Sequence, residues 1–153
     1  LISIENERHV ASSHGIKVVA DLMLDDADLA SYAVVFLPGG MPGTLRLKEN
    51  AQVRAEVLRR AEASLKLAAI CAAPSILAEL GVLQGKHATA NPGFMDTLRD
   101  GGAQVEITPV VVDGSIVTSR GAGTALELGF ELVRQLLGDE AAQNVRDSVV
   151  WEH

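Results

Sequence analysis

Short apolar runs alternate along the chain with segments in which apolar residues recur at helical spacing. The runs predict five strands: Leu1–Val10 with a turn near Asn6, Ile16–Leu24, Tyr32–Leu37, Leu65–Cys71 and Lys86–Ala90. Helical spacing predicts helices over Asn50–Ser64 and Thr124–Leu137, the latter ended by Gly138, and a further helix from Asp139. This alternation is typical of one α/β domain with a mainly parallel sheet.

The remaining segments predict shorter elements. Val105–Ser119 resembles a β-hairpin, because Asp113-Gly114 separates two runs of β-branched residues. Pro74 suits the first turn of a short helix that Gly81 would end. Phe94–Arg99 predicts one or two helical turns. The continuous apolar character of Tyr32–Leu37 predicts a strand covered on both faces.

The composition of the chain argues against several classes of function. The 153 residues carry a net charge of -7 and only 3% aromatic residues, so a nucleic-acid partner is not expected. The most apolar stretch, Leu65–Leu83, contains Lys66, Pro74 and Glu79, which argues against a membrane span. Cys71 is the only cysteine, so no intrachain disulfide forms, and a reducing, cytoplasmic location is expected.

Cys71 carries the sharpest chemical signal. It follows an apolar strand and precedes a predicted helix, with the small residues Ala69 and Ala73 on either side. This is the layout of a nucleophile elbow, in which a strained turn exposes the nucleophile and the helix start favours a thiolate. Cysteine is also common as a small buried hydrophobe. The residues alone leave both interpretations open.

Two glycine-rich segments could complete a site. Gly39 and Gly40 follow another strand, where backbone N–H groups can bind an oxyanion. The Gly121-Ala122-Gly123 segment lacks the third glycine of a dinucleotide fingerprint, because position 126 is Leu. The four histidines form no metal-ligand pair with each other or with the cysteine. The sequence therefore predicts neither a cofactor nor a metal.

Taken together, the motifs resemble the ThiJ/PfpI superfamily, in the branch of the human Parkinson-disease protein seven (DJ-one) and its bacterial relatives. They occur in the order of that family and cover nearly the whole chain. The matching segments are Ser13-His14-Gly15, Leu37-Pro38-Gly39-Gly40, Ala68 to Pro74 around Cys71, Ala88 to Gly93 around Asn91, and Val117 to Thr124 around Arg120.

The resemblance implies a three-layer flavodoxin-like sandwich and a homodimer. It implies that Cys71 is the reactive nucleophile, with the amides of Gly40 and Ala72 as the oxyanion pocket. Gly39, His14, Asn91 and Arg120 would line the substrate or anion pocket. Activities ascribed to this branch are hydration of glyoxals, deglycation, and redox-linked chaperoning. The peptidase branch has His directly after the cysteine, and Ala72 at that position argues against a peptidase.

The sequence departs from the family at three site positions. Many relatives have His where this chain has Asn91, and an amide is neither an acid nor a base near pH 7. Several relatives have Arg at the position of His14, whose charge depends on pH. The usual Pro of the Arg-Gly-Pro-Gly motif is Ala122.

The largest departure is upstream, because the family's first strand and helix, with the Glu that binds the cysteine, have no counterpart here. Glu5 and Glu7 lie after that region and do not inherit the role. Loss of a central strand would leave unpaired backbone on both neighbours. We therefore expect residues 1–153 to form one domain that is incomplete at its N-terminus, and we expect a companion N-terminal segment.

Three functions stay open at this point. The first is a cofactor-independent enzyme of the glyoxalase or deglycase type, in which the Cys71 thiolate attacks a small aldehyde or glycated substrate. The second is a redox-sensing or chaperone-like stress protein in which Cys71 oxidises. The third is an inactive homologue, which the absent acid and Asn91 favour.

Overall fold

The computed structural model describes residues 1–152. Within this range the chain forms ten strands and six helices. The strands are β1 (Ile2–Ser3), β2 (His9–Ala11), β3 (Lys17–Val19), β4 (Leu22–Met23), β5 (Val34–Leu37), β6 (Lys66–Ile70), β7 (His87–Ala88), β8 (Gln104–Val105), β9 (Val110–Asp113) and β10 (Ile116–Ser119). The helices are α1 (Gly43–Glu49), α2 (Ala51–Glu62), α3 (Pro74–Glu79), α4 (Met95–Asp100), α5 (Ala125–Leu137) and α6 (Asp139–Ser148).

The main sheet has four strands in the order β5-β6-β10-β9. Strands β5, β6 and β10 are parallel, with Leu37 opposite Ala69 and Ser119 opposite Ile70. Their carboxyl ends therefore lie side by side. Strand β9 returns antiparallel to β10. The predicted hairpin is thereby confirmed, but its two-residue turn is Gly114-Ser115, one residue later than predicted, because Asp113 pairs with Ile116. Gly114 has a positive φ of 60°, which the first position of such a turn requires.

Strand β6 shows why the fold has three layers. Successive side chains of a strand point to opposite faces. Leu67 and Ala69 belong to one core cluster, which also contains residues of α2, α3 and α4. Ala68 and Ile70 belong to a second cluster, which contains Leu128 of α5. Helices thus cover both faces of the sheet, in the flavodoxin-like sandwich that the sequence resemblance implies.

Several predicted elements are confirmed with small shifts in their bounds. Helix α2 begins after Asn50, whose side chain accepts from the backbone N–H groups of Gln52 and Val53. Helix α5 ends at Gly138, which has a φ of 92°. Helices α3, α4 and α6 and strand β6 also lie within one residue of the predicted bounds, and β7 occupies only His87–Ala88 of the predicted Lys86–Ala90.

Other predictions were wrong in part. The hairpin begins at Val110 instead of Val105, because Gln104–Val105 pairs in parallel with β7. Both N-terminal apolar runs divide into two short strands, and the division of the first at Asn6 agrees with the predicted turn. Helix α1 was not predicted. Strand β5 is not covered on both faces, since Phe36 is 45% exposed.

The edges of the short strands bear on the predicted companion segment. Within residues 1–152, β5 pairs only with β6, and β1 pairs only with β4. The β1–β4 pair therefore lies outside the main sheet, as does the β2–β3 hairpin. One edge of β5 therefore has no partner strand within residues 1–152. The companion segment itself stays a prediction.

The buried Arg60 links α2 to the backbone before β5 and to the first residue of β6. The Arg60 side chain is fully buried on α2, and its Nε donates to Glu56 Oε1 at 2.7 Å. Its two other nitrogens donate to three backbone carbonyls, those of Leu29, Tyr32 and Lys66, at 2.6–3.0 Å. Every guanidinium nitrogen thus has a partner, which burial of a charge requires.

Membrane insertion by a helix finds no support in this fold. Over residues 1–152, every helix is too short or too polar to cross a bilayer.

Candidate functional site

The candidate site lies where three parallel strands of the main sheet end. Strand β5 leads into Gly39-Gly40, β6 leads into Cys71, and β10 leads into Arg120. Ligands of open α/β sheets bind at this carboxyl edge, because loops from adjacent strands converge there. The sheet therefore brings together the segments that the sequence singled out separately.

Cys71 adopts the left-handed conformation that a nucleophile elbow requires. Its φ is 64°, which costs a non-glycine residue about 1–3 kcal/mol. Two backbone hydrogen bonds of 2.9 Å hold it there, from Cys71 N–H to Ser119 C=O and from Asn91 N–H to Cys71 C=O. The thiol is partly exposed. Cys71 is thus a half-buried, accessible residue in a strained turn, unlike a cysteine that only fills a core.

Gly39 allows the two loops to approach closely. A Cβ atom at this position would lie 2.5 Å from the Ile70 carbonyl oxygen, 2.6 Å from Cys71 Cβ and 3.0 Å from the Ala72 nitrogen. Real Cβ atoms essentially never approach this closely. Glycine is therefore required here by the Cys71 turn itself.

Gly40 and Ala72 directly follow Gly39 and Cys71, so their backbone N–H groups belong to the two loops that approach each other. Gly40 has a φ of 95°, and its carbonyl accepts from both the backbone N–H and the hydroxyl of Thr44, at 2.8 and 2.9 Å. These bonds fix the loop after β5. Within residues 1–152, neither the Gly40 N–H nor the Ala72 N–H donates a hydrogen bond. Two donors are consequently free to bind an oxyanion.

Asn91 borders the same turn. Its Oδ1 accepts from Gly93 N–H at 3.1 Å, which caps a short 3₁₀ turn at residues 92–94. With Oδ1 engaged in this way, the Nδ2 group is left as the donor of the amide, and it lies 3.8 Å from the Cβ position of Gly121. Asn91 can donate a hydrogen bond at the site but cannot transfer a proton near pH 7.

Arg120 enters from β10. Its backbone N–H donates to the Pro109 carbonyl at 3.3 Å. Its Nε atom is buried and has no hydrogen-bond partner in the described part of the chain. A buried donor atom without a partner makes Arg120 a candidate anion ligand.

His14 lies apart from these loops. It is exposed in the turn of the β2–β3 hairpin, where its Nδ1 is 3.1 Å from Ser13 Oγ and its N–H donates to Ser12 Oγ. Its hydrogen bonds are thus made within its own turn, whereas Gly39, Gly40, Cys71, Ala72, Asn91 and Arg120 adjoin the ends of three neighbouring strands.

Two hydroxyl groups at the end of β10 were not predicted from the sequence. Ser119 Oγ and Thr124 Oγ1 are 2.7 Å apart, and Thr124 Oγ1 also accepts from Gly121 N–H at 3.1 Å. The spacing of Gly121 and Thr124, three residues apart before a helix, was the available signal.

Electrostatic perturbations occur away from the site. Hydrogen bonds from Arg59 lower the pKa of Glu56, and hydrogen bonds from Arg134 lower the pKa of Glu131. Glu56 is buried on α2, and Glu131 is partly buried on α5. Among residues 1–152, no cluster of three or more His, Cys, Asp or Glu side chains is arranged to hold a metal ion.

Comparison with known proteins agrees with this geometry. The chain is 42% identical over 150 residues to "Protein DJ-1 homolog B" of Arabidopsis thaliana, covering 97% of this chain and 34% of that protein. It is 34% identical over 128 residues to a deglycase of Thermococcus kodakarensis, covering 83% of this chain and 76% of that protein. The chain thus spans about a third of the length of the Arabidopsis relative.

The similarity extends to solved structures and to the family as a whole. Oxidized DJ-1 of Toxoplasma gondii superimposes with a TM-score of 0.92 at 31% identity, covering 99% of this chain and 82% of that one. The sequence profile of the DJ-1/PfpI family matches residues 1–135, which include the ends of all three strands around Cys71. The chain belongs to the DJ-1/PfpI family.

Proposed function

We propose that this chain is a cofactor-independent cysteine enzyme of the glyoxalase or deglycase type, acting on small reactive aldehydes or their adducts. The observation that carries the proposal is the strained Cys71 turn, which lies beside two unpaired N–H groups, those of Gly40 and Ala72. The similarity to a protein named as a deglycase supports the same reaction class.

The first step is addition to the aldehyde. The Cys71 thiolate forms a C–S bond to the carbonyl carbon, and the C=O π electrons move onto oxygen. The Gly40 and Ala72 N–H groups then bind that oxyanion, which becomes the hydroxyl of a hemithioacetal after protonation. Backbone donors suit this step because they are already fixed before the reaction and need no reorganisation.

The second stage converts methylglyoxal, as the hemithioacetal, into lactate. A base removes the proton from the former aldehyde carbon, and protonation of the adjacent carbon gives a thioester of lactate on Cys71. Water then cleaves the C–S bond, and lactate and the free thiol are released, so the net change is addition of one water. Asn91 does not supply the base, because its amide does not titrate near pH 7.

Turnover of methylglyoxal tests the proposal. The wild-type chain should form lactate, and Cys71→Ala should abolish this activity while retaining the fold by circular dichroism. The control variant is Ser75→Ala. It removes a nearby hydroxyl, which is bonded to the Ala72 carbonyl at 2.7 Å, and leaves the Cys71 thiol in place. Equal rates for wild type and Cys71→Ala would refute the proposal, and absence of any turnover would favour the inactive homologue.

A redox-sensing role is the second candidate, because the same free N–H groups suit the oxygens of an oxidised cysteine. One peroxide converts the Cys71 thiolate to a sulfenic acid, and a second converts this to a sulfinate, with each peroxide reduced to water or hydroxide. Mass spectrometry after mild peroxide should then show a gain of two oxygens at Cys71. A thiol that stays reduced, or passes directly to the sulfonate, would contradict this role.

We further propose that this chain forms a homodimer with a second copy of itself. The β2–β3 hairpin lies outside the main sheet and exposes Ile16, Val18 and Val19 at 45–69%. A two-stranded hairpin is marginally stable in water unless something covers it. Sedimentation should show a dimer that Val19→Asp weakens and Ile107→Asp, at an exposed site outside the hairpin, does not. A monomeric wild type would refute the proposal.

A cytoplasmic location, the companion N-terminal segment and the absence of a cofactor, nucleic-acid partner or membrane partner remain predictions from the sequence.

A further inference from the structure

The buried hydroxyl group of Ser119 and the half-buried hydroxyl group of Thr124 meet at the end of β10. The Ser119 side chain is fully buried, and its Oγ lies 2.9 Å from the Pro109 carbonyl oxygen and 2.7 Å from Thr124 Oγ1. Thr124 Oγ1 also lies 3.0 Å from the Gly121 carbonyl oxygen and accepts from the Gly121 N–H. Each hydroxyl therefore has both an acceptor and a donor within reach, so the pair closes the loop between β10 and α5.

The same two residues connect to the nucleophile through the backbone. The Ser119 carbonyl accepts the Cys71 N–H at 2.9 Å, so a displacement of Ser119 displaces one of the two bonds that hold the strained turn. The second of these bonds comes from Asn91, whose side chain borders Gly121. Thr124 binds the backbone of Gly121. Ser119 and Thr124 together therefore hold the groups that lie on both sides of Cys71.

We propose that Ser119 and Thr124 are positioning residues for Cys71, holding the Ser119 carbonyl and Gly121 where they keep the thiol in its left-handed, reactive conformation. The inference rests on the proposed role of Cys71 as a nucleophile and is independent of the substrate. It differs from a general stabilising role, because it requires that loss of the hydroxyls slow the reactions of the thiol even where the protein remains folded.

A matched control exists elsewhere in the chain. Ser3 is also buried, and its hydroxyl also closes a loop, donating to the Glu7 carbonyl at 2.7 Å and accepting from the Glu5 N–H at 3.1 Å. Ser3 lies on β1, outside the main sheet. Ser3→Ala therefore removes a hydroxyl of the same kind without changing a contact of Cys71.

The experiment measures alkylation of Cys71 by iodoacetamide from pH 6 to 10, together with the thermal midpoint. The chains compared are wild type, Ser119→Ala, Thr124→Val, Thr124→Ser and Ser3→Ala. Because Cys71 is the only cysteine, the rate reports this thiol alone. Alkylation requires no turnover, so a failure to convert methylglyoxal would refute the proposed enzyme activity without affecting this measurement.

We expect Thr124→Val and Ser119→Ala to slow alkylation at neutral pH by about threefold to tenfold. Thr124→Ser, which keeps the hydroxyl, should restore the wild-type profile. Ser3→Ala should lower the thermal midpoint and leave the profile unchanged. If Thr124→Val does not fold, Ser119→Ala against Ser3→Ala decides the question. Unchanged profiles, or an equal change in Ser3→Ala, would overturn the inference.

Discussion

Replacement of Gly39 by Ala tests whether the close approach of two loops sets the geometry of the thiol. The new Cβ would lie 2.5 Å from the Ile70 carbonyl oxygen and 2.6 Å from Cys71 Cβ, whereas ordinary contacts begin at 3.4 Å. These neighbours belong to the backbone and the base of the turn, so no flexible side chain can yield. The loops must separate by close to 1 Å to relieve the overlap.

The expected cost has two parts. Overpacking of this kind destabilises a protein by about 1–3 kcal/mol, which for a chain of this size lowers the melting temperature by about 2–12 °C. A misplacement of about 1 Å at a reacting group can reduce its rate by about a hundredfold. We therefore expect Gly39→Ala to reduce the alkylation rate of Cys71 by more than the loss of stability explains.

The assay compares iodoacetamide alkylation and thermal melting of wild type, Gly39→Ala and Gly43→Ala. Gly43 opens α1 four residues later, and no atom lies within 4 Å of its Cβ position, so alanine fits there. A Gly39→Ala chain that melts and reacts like wild type would show that the loops are not in close contact at this point. If Gly43→Ala lowered the melting temperature and the alkylation rate as much as Gly39→Ala, the close contact at Gly39 would not be the cause.

Three further predictions concern stability and are read from urea unfolding. Arg60→Leu leaves Glu56 and three backbone carbonyls without their buried donor and should cost about 3–5 kcal/mol, whereas Arg59→Leu, at an exposed position, should have a much smaller effect. Because hydrogen bonds from Arg59 lower the pKa of Glu56 below 4.5, its stabilising contribution is present above that pH and is lost as the pH falls through the lowered pKa. Wild type should therefore lose more stability than Glu56→Gln between pH 6 and pH 3.5, and an identical loss would contradict the assignment. Asn50→Ala removes the cap of α2 and should cost about 1 kcal/mol, and no change relative to Asn6→Ala would contradict this.

Local patterns were sufficient to predict much of the fold. The run Leu67–Ile70 is apolar at every position because both faces of β6 are covered, and this made the parallel sheet recognisable. The helix boundaries followed from Asn50 and Gly138, whose roles depend only on adjacent residues. The exposure of Phe36 could not be predicted, because it depends on which elements cover β5, and the sequence of β5 does not record them.

The candidate site, like the fold, was predictable from the sequence only in part. The positions of Cys71, Gly39 and Gly40 were predictable, since each follows a strand and the ends of parallel strands converge. The partnership of Ser119 with Thr124 was not, because it depends on the path of the loop between them. His14 was assigned by resemblance alone, and its hydrogen bonds lie within its own turn.

Different groups of the candidate site determine two properties of Cys71, the reactivity of its thiol and its ability to turn over a substrate. Backbone groups of Ser119 and Asn91 hold its conformation, and the proposed oxyanion donors are backbone groups of Gly40 and Ala72. A change of side chain at position 91 removes none of these groups. Proton transfer between carbons, in contrast, requires a titrating side chain, and Asn91 provides none. Reactivity of the thiol toward alkylating agents and peroxide should therefore be preserved in any variant whose turnover of methylglyoxal is limited by proton transfer alone. If both properties were lost together on mild perturbation of Asn91, for example in Asn91→Asp, the backbone would not be the source of the reactivity.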